Sequence, residues 1–567
     1  MSIAVNGLPS SRKTPGVFLS VLLGATPTSA GAVPKKVLVI GNMIGSALTG
    51  SSPTFSVAAG TATVATPYLI PSEGDAVTYF GRGSELHWMC RSVLSQYPDA
   101  QLYGCAAAEA SGTQASAVLT FATSASAAFT VRLRLCGQVI DVGVSSGDSV
   151  TTIASAVSDA INDAADLPYT AQNSSGVMTV TAKHAGPRGN TLIVDAYFVS
   201  STGAETRIGS SSTSSGAGTT GTWSTITTES TEYHLQSGAT QDSIATVLTN
   251  IEPVKYDRIV IANIDSTNVG RLVTALNSQA AVTVQKRQQG VAPSTDTNAN
   301  AITLATGQNA PKLQLVWHYN SRIPIWAVAA QTAAARLIGD GVVGGRVIGE
   351  ATDPAANLDG CNLRDVIVQP FVGDQPTAAE IESALNNGVT PIIPSTDRPG
   401  YCAISRSITT RSLSGGVPSY SVLDTTNVTV CDYVADDLQA DLAVTYAGAK
   451  LAADSSDGLP PRAQGVVTPS IVRSHIAGKL KGYEDAVNML TRMRDSLKEV
   501  TAASEANDLA KAALDQTKRL TGVTDRPLIG TIIKPSGLQY RILHNGYGAR
   551  PHASDYVTVY YTGALIN

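Results

Sequence analysis

Three short apolar runs constrain this chain most: "KKVLVIGN" (35–42), "YDRIVIAN" (256–263) and "KLQLVWHYN" (312–320). Each is continuous where a half-exposed strand would alternate, which suits strands buried on both faces of a helix-covered sheet. Helical text follows each run. After the first comes "TYFGRGSELHWMCRSVLSQYP" (78–98), where Ser84 can cap a helix with Leu86, Met89, Val93 and Leu94 on one face. After the second, "TNVGRLVTALNSQ" carries Val269, Leu272, Val273 and Leu276, and after the third comes the Ala-rich "AVAAQTAAARLIG". "TAAEIESALNNGVTPII" (377–393) adds a helix closed by Gly388 and a further strand. An α/β core is expected, interrupted between its first and second strands.

The interrupting text has another period. In "AAFTVRLRLCGQVIDVGV", Phe129, Val131, Leu133 and Leu135 alternate with Thr130, Arg132 and Arg134. After Gly137-Gln138 the alternation resumes at Ile140, Val142 and Val144, which predicts a hairpin with one buried face. "GDSVTTIASAVSDAIND" then turns helical, with Val150, Ile153, Ala154, Val157 and Ile161 in one stripe, and "GVMTVTAKHAGPRGNTLIVDAYF" (176–198) returns to strands. In "GSSSTSSGAGTTGTWS" (209–224) all but two residues are Ser, Thr or Gly, so a flexible or surface-lying connector is expected there. The simplest organisation is a discontinuous α/β (α+β) multidomain chain. It has an extended arm (1–34), a core (35–114), an inserted β-rich peripheral domain with its connector (115–230), the rest of the core (231–495) and a C-terminal helical linker with a β segment (496–567).

A search for chemistry finds bland readings throughout. "GVSSG" (143–147) puts Ser145 in the slot of a hydrolase nucleophile. The helix begins too late for a sharp elbow, at the Asp148/Ser149 cap, and the strand before it is a hairpin partner, so a turn is expected. "VIGNMIGS" offers Gly41 and Gly45 without the full dinucleotide fingerprint or its acidic partner. "FGRGSEL" could present helix amides to a phosphate, but a loop with a Ser84 cap accounts for it. His87 beside Trp88, and His318 beside Trp317, read as packing or surface groups. No carboxylate pair, Cys/His dyad, P-loop or zinc spacing is found, so no enzyme, cofactor or metal is expected.

Composition agrees. The 567 residues carry a formal charge of −5 and no dense Lys/Arg run, which leaves no footprint for direct nucleic-acid binding. Six scattered cysteines without a C-x-x-C pair fit reduced thiols better than a disulfide framework. "RKTPGVFLSVLLGATPTSA" mimics a secretory signal through its apolar Val17–Ala25 stretch. Polar residues precede Arg12 and Pro15-Gly16 punctuates the junction, so an extended arm fits better and no membrane insertion is expected.

Several stretches resemble contractile phage tail sheath proteins of the Mu-like family. "TPGVFLSVLLGATPTSAGAVPKKVLVIGN" is similar to the family's arm entering its core, and "VTYFGRGSELHWMCRSVLSQYPDAQLYG" to the helix and strand that follow. "RLCGQVIDVGVSSGDSVTTIASAVSDAINDAADLPYTAQNSSGVMTVTAKHAGPRGN" resembles its peripheral domain. "GRVIGEATDPAANLDGCNLRDVIVQP", "PTAAEIESALNNGVTPI", "SRSITTRS" and "VTPSIVRSHI" resemble later segments in the same order. Together these cover most of residues 14–495. The resemblance implies a structural protein of the virion tail, assembled in the bacterial host cytoplasm. Subunits would stack as hexameric rings around a tail tube, with baseplate and tail terminator proteins as further partners. Each would lend terminal strands to neighbouring subunits by β-augmentation. The arm residues implied are Pro15, Gly16, Val17, Phe18, Leu19, Val21 and Leu22.

The last stretch, "PSGLQYRILHNGYGARPHASDYVTVYYTGALIN", resembles instead the start of an FK506-binding-protein-type prolyl isomerase domain. Tyr561 falls on a position that lines that family's proline pocket. The strands that would complete the pocket do not follow, so no isomerase activity is expected. "DYVTVYYTGALI" has strand character and makes Val557, Val559 and Tyr561 candidates for a donated C-terminal strand. Two other functions compete: a prolyl isomerase or chaperone fusion, and a secreted β-rich adhesin.

Overall fold

The computed structural model describes residues 35–482, apart from 211–213, 217–218, 282, 340–341, 344–345, 348–359, 420–421 and 455–464, and also residues 531–533 and 539–541. The chain divides into two units, residues 1–488 and 489–567. In the second, Thr531–Ile533 pairs antiparallel with Gln539–Arg541, Ile532 opposite Tyr540.

The first unit is built on a nine-stranded mixed sheet. Its order is Asn362–Ile367, Tyr401–Ile404, Thr390–Pro394, Leu313–Trp317, Gln289–Ser294, Arg258–Ile261, Lys36–Gly41, Gln101–Ala106 and Pro67–Leu69. The six strands from Thr390–Pro394 to Gln101–Ala106 run parallel. The three apolar runs of the sequence lie among these six, covered on both faces. Val37 and Val39 turn to a core shared with Leu86, Met89 and Trp326, while Leu38 and Ile40 turn to one shared with Val269, Leu272 and Leu276. The Ala-rich helix Ile325–Gly339 is buried from Trp326 to Leu337, because alanines let it pack against the sheet and the Glu85–Gln96 helix together.

Local signals were sufficient at several ends. Ser84 and Ser149 cap their helices by accepting from His87 N (3.0 Å) and Thr152 N (3.2 Å). Thr377 forms a full capping box with Glu380 on the Ala378–Asn386 helix, and Gly388 follows that helix at φ 80°. Thr377→Ala is expected to lower the unfolding free energy by ~1 kcal/mol. A urea titration would read this as a shifted midpoint at unchanged slope, and an unmoved midpoint would refute it.

Residues 114–224 leave the central sheet and form two antiparallel sheets of their own, followed by the separate hairpin Ile226–Glu229/Glu232–Leu235. The five-stranded one runs Ser214–Gly216, Thr219–Ser224, Gln114–Phe121, Val177–Ala185, Tyr169–Ser174. The four-stranded one runs Glu205–Arg207, Ala196–Val199, Phe129–Leu135, Gln138–Val144. The expected hairpin is the last pair, with Val131 opposite Val142. Its turn residues Cys136 (φ 47°) and Gly137 (φ 79°) are both left-handed, as a two-residue type I′ turn requires. The helix Val150–Asp163 buries the expected Ile153, Ala154, Val157 and Ile161.

One expectation fails here. The Ser/Thr/Gly stretch is not merely a surface connector, because Thr219–Ser224 is a strand paired to Gln114–Phe121 with Trp223 opposite Leu119. Thr219, Gly221 and Trp223 are buried in alternation, and Trp223 is 1% exposed. A period-2 pattern of one tryptophan among small β-compatible residues has little compositional weight, yet burying that ring outweighs it.

Candidate functional site

The most organised polar structure lies where residues 114–242 meet the carboxyl ends of the central strands, and it consists of two buried arginine clusters. In the first, Arg188 on the short helical turn Pro187–Thr191 donates to Glu85 (Nε–Oε1 2.8 Å, Nη2–Oε2 2.9 Å) and to Asp242 (Nη1–Oδ1 2.6 Å, Nη2–Oδ2 3.1 Å). All three are almost fully buried. Glu85 opens the Glu85–Gln96 helix and also accepts from Asn42 N (2.9 Å), just past the first central strand. Asp242 accepts from Asn263 Nδ2 (3.0 Å), just past the Arg258–Ile261 strand. With its amide turned so that nitrogen faces Asp242 (3.0 Å) and oxygen faces Arg188 (2.9 Å), Asn42 closes the network. Burial, the largest single influence, would raise the Glu85 carboxyl; the charges of Arg188 and His184 together with the hydrogen bonds from Arg188 and Asn42 N outweigh it and hold that carboxyl below its ordinary value.

In the second cluster Arg322, past the Leu313–Trp317 strand, reaches Glu232 (Nη2–Oε2 2.9 Å) and Asp195 (Nη2–Oδ2 3.0 Å). Arg207 donates to the other Asp195 oxygen (2.8 Å) and stacks over the Tyr233 ring at 4.2 Å. Burial raises the Glu232 carboxyl despite its arginine. Both clusters can hold charge and fix geometry; neither presents a nucleophile to a base. Among the described residues no group of three or more His, Cys, Asp or Glu could hold a metal ion, and no helix is long and apolar enough to cross a membrane.

The weaker sequence motifs resolve accordingly. Ser145 sits in a turn, its N–H on Asp148 Oδ2 (2.7 Å), clear of the helix that begins at Val150. The "FGRGSEL" amides do not await an anion. Gly83 N donates to His87 Nδ1 (3.1 Å), Glu85 N to His184 Nε2 (3.4 Å) and His87 N to Ser84 Oγ (3.0 Å), and Lys183 Nζ covers the loop by donating to Arg82 O (3.0 Å) and Ala165 O (2.7 Å). His87 and His318 are buried packing groups, and burial pushes His318 down to about 4. Pro15, Gly16, Val17, Phe18, Leu19, Val21, Leu22, Val557, Val559 and Tyr561 lie outside the described residues. The arginine clusters were not found from sequence: Arg188 stands 103 residues from Glu85 and 54 from Asp242, a separation no local pattern encodes.

No family model matches the chain. The Mu-like prophage FluMu tail sheath protein of Haemophilus influenzae is 23% identical over 507 residues, which takes in 88% of this chain and 94% of that protein. The chain resembles Mu-like tail sheath proteins. The outer membrane protein MIP of Legionella longbeachae is 33% identical over 100 residues, 15% of this sheath-like chain and 42% of that protein, so the chain spans less than half of that relative. A sheath tail protein of Desulfitobacterium hafniense, known from its crystal structure, aligns with 83% of this chain and 89% of its own at 14% identity. The TM-score of that alignment is 0.37.

Proposed function

We propose that this chain is a structural tail sheath subunit. It polymerises as stacked hexameric rings around a tail tube and contracts to drive that tube through a target envelope. The observation that carries this is the extent of the match, 88% of this chain against 94% of a tail sheath protein, which is end-to-end likeness and not a shared module. In this reading residues 35–114 and 231–495 are the core and residues 115–230 the peripheral domain. Residues Pro15–Leu22, and Val557, Val559 and Tyr561, are strands lent to neighbouring subunits. Strand exchange joins subunits through main-chain hydrogen bonds, so bodies can rotate while the strands stay paired. Its partners are other copies of itself, the tail tube, and baseplate and terminator proteins, and it acts in the virion tail after assembly in the host cytoplasm. No reaction is catalysed.

The buried clusters fit a part that must transmit force. Each rigidly ties residues 114–242 to the central strands, so both move as one body.

Negative-stain electron microscopy of the purified chain tests the proposal, full-length and lacking residues 1–30. Hollow ring-stacked tubes are expected from the first and none from the second. Dispersed monomers from both would overturn it.

A further inference from the structure

The helix Thr425–Thr445 meets the amino ends of three adjacent parallel strands, and along most of its length charge joins it to them. Each strand enters with a cation: Lys255 ahead of Arg258–Ile261, Arg287 ahead of Gln289–Ser294 and Lys312 ahead of Leu313–Trp317. All three cations reach two acids one turn apart on the helix. Lys312 Nζ donates to both oxygens of Asp432 (2.7 and 2.8 Å), Arg287 Nη1 donates to Asp436 Oδ1 (2.6 Å), and Lys255 Nζ pairs with Asp436 Oδ2. These side chains are 15–38% exposed, so dissolved ions can reach them.

Apolar burial is confined to the start of the helix, at Thr425, Val428 and Thr429. Val430, Val434, Leu438 and Leu442 stay only half-buried, Val444 is 79% exposed, and neither hydrophobic core of the body includes a residue of this helix. The amino end is fastened separately. Thr425 N donates to Ser407 O (3.2 Å), and Thr429 Oγ1 accepts from Arg258 Nη2 and Gln289 Nε2 (both 3.1 Å). The far half carries the following segment by charge as well, Lys479 pairing with Asp437 (3.3 Å) and Asp441 (3.2 Å), and His475 with Asp441.

A second observation concerns the helix's own sequence. Eight of its 21 residues are Thr or Val and four are Asp, all weak helix formers. Asp432/Asp436 and Asp437/Asp441 are like-charge pairs four apart, which repel once their cations leave. Undocked, such a segment does not hold its helix in water.

We propose that this helix is a salt-sensitive latch. Raised ionic strength releases the part beyond Thr429, which unwinds and swings from the Thr425 anchor together with residues 469–482, while the central sheet stays folded. Salt shortens the reach of the ion pairs, from about 10 Å at 0.1 M to about 3 Å at 1 M, and does not screen apolar burial. The inference does not depend on the sheath reading.

The test is hydrogen–deuterium exchange of the full chain, read by mass spectrometry in about 0.1 M and about 1 M NaCl. Amides of residues 430–445 are expected to exchange about tenfold faster at the higher salt, with those of Arg258–Ile261 and Gln289–Ser294 unchanged. D432N/D436N should exchange at the fast rate already in low salt and lose the salt response. K312E should also quicken exchange, and K312E/D432K, which restores that pair with its charges reversed, should slow it again, a recovery that damaged packing would not give. Equal exchange of the helix at both salts, or loss of its protection together with that of the central strands, overturns the proposal. So does parent-like exchange in D432N/D436N, or no recovery in K312E/D432K.

Discussion

Replacing Arg188 with methionine is expected to cost about 3–5 kcal/mol of stability, because it strands two buried carboxylates without their shared cation. Glu85 and Asp242 are each only a few per cent exposed on their side chains, so water cannot take over from the guanidinium. The loss should exceed that of any exposed pair such as Arg406–Asp424, where solvent screens the charges and the usual worth is ~0–1 kcal/mol. Urea unfolding of R188M beside R406M measures both. A further variant, R188M/E85Q/D242N, should recover part of the loss, because it removes the stranded charges as well. Equal effects of R188M and R406M, or no recovery in the triple variant, would show that the cluster's charge pairing does not hold this seam.

Acid is expected to destabilise the chain between pH 6.5 and about 4, before most carboxylates titrate. Burial pushes both His234 and His318 down to about 4 from an ordinary 6.5. The sign follows from proton counts. Below pH 6.5 the unfolded chain binds two protons that the native chain refuses, so unfolding is favoured increasingly as pH falls, and above 6.5 the two histidines contribute nothing. Each should remove ~2.5 kcal/mol at pH 4.5. The raised carboxyl of Glu232 works in the opposite direction over part of this range, so the informative quantity is the difference between chains. Stability measured from pH 7.5 to 4.5 should fall less steeply in H234Q and H318Q than in the parent, whatever each substitution costs at pH 7.5. Parallel pH profiles for all three chains would sink the assignment.

The stretches best read from sequence were those where a local pattern and its burial agree. "KKVLVIGN" became a central parallel strand because a continuous apolar run has no solvent-tolerant face. The hairpin of residues 129–144 followed its alternation, and Ser84 and Ser149 followed the need of orphan helix amides for an acceptor. The Glu85–Gln96 helix was only half legible. Its apolar face was visible, but Glu85, His87, Ser92 and Gln96 are buried as well. Their burial comes from neighbours distant in sequence, the Ala-rich helix and the Asn362–Ile367 strand among them.

The sequence by itself determined which segments become buried strands and amphipathic helices, because hydrophobic period and capping chemistry act over a few residues. Only the tertiary structure decided where its polar residues go. Arg188, Asp242, Asp195, Glu232 and Arg322 carry no local pattern, and Trp223 was lost in a tract of serine, threonine and glycine. Their roles arise when long-range packing removes them from water, and each must then find its hydrogen bonds or its apolar neighbours in a different part of the chain.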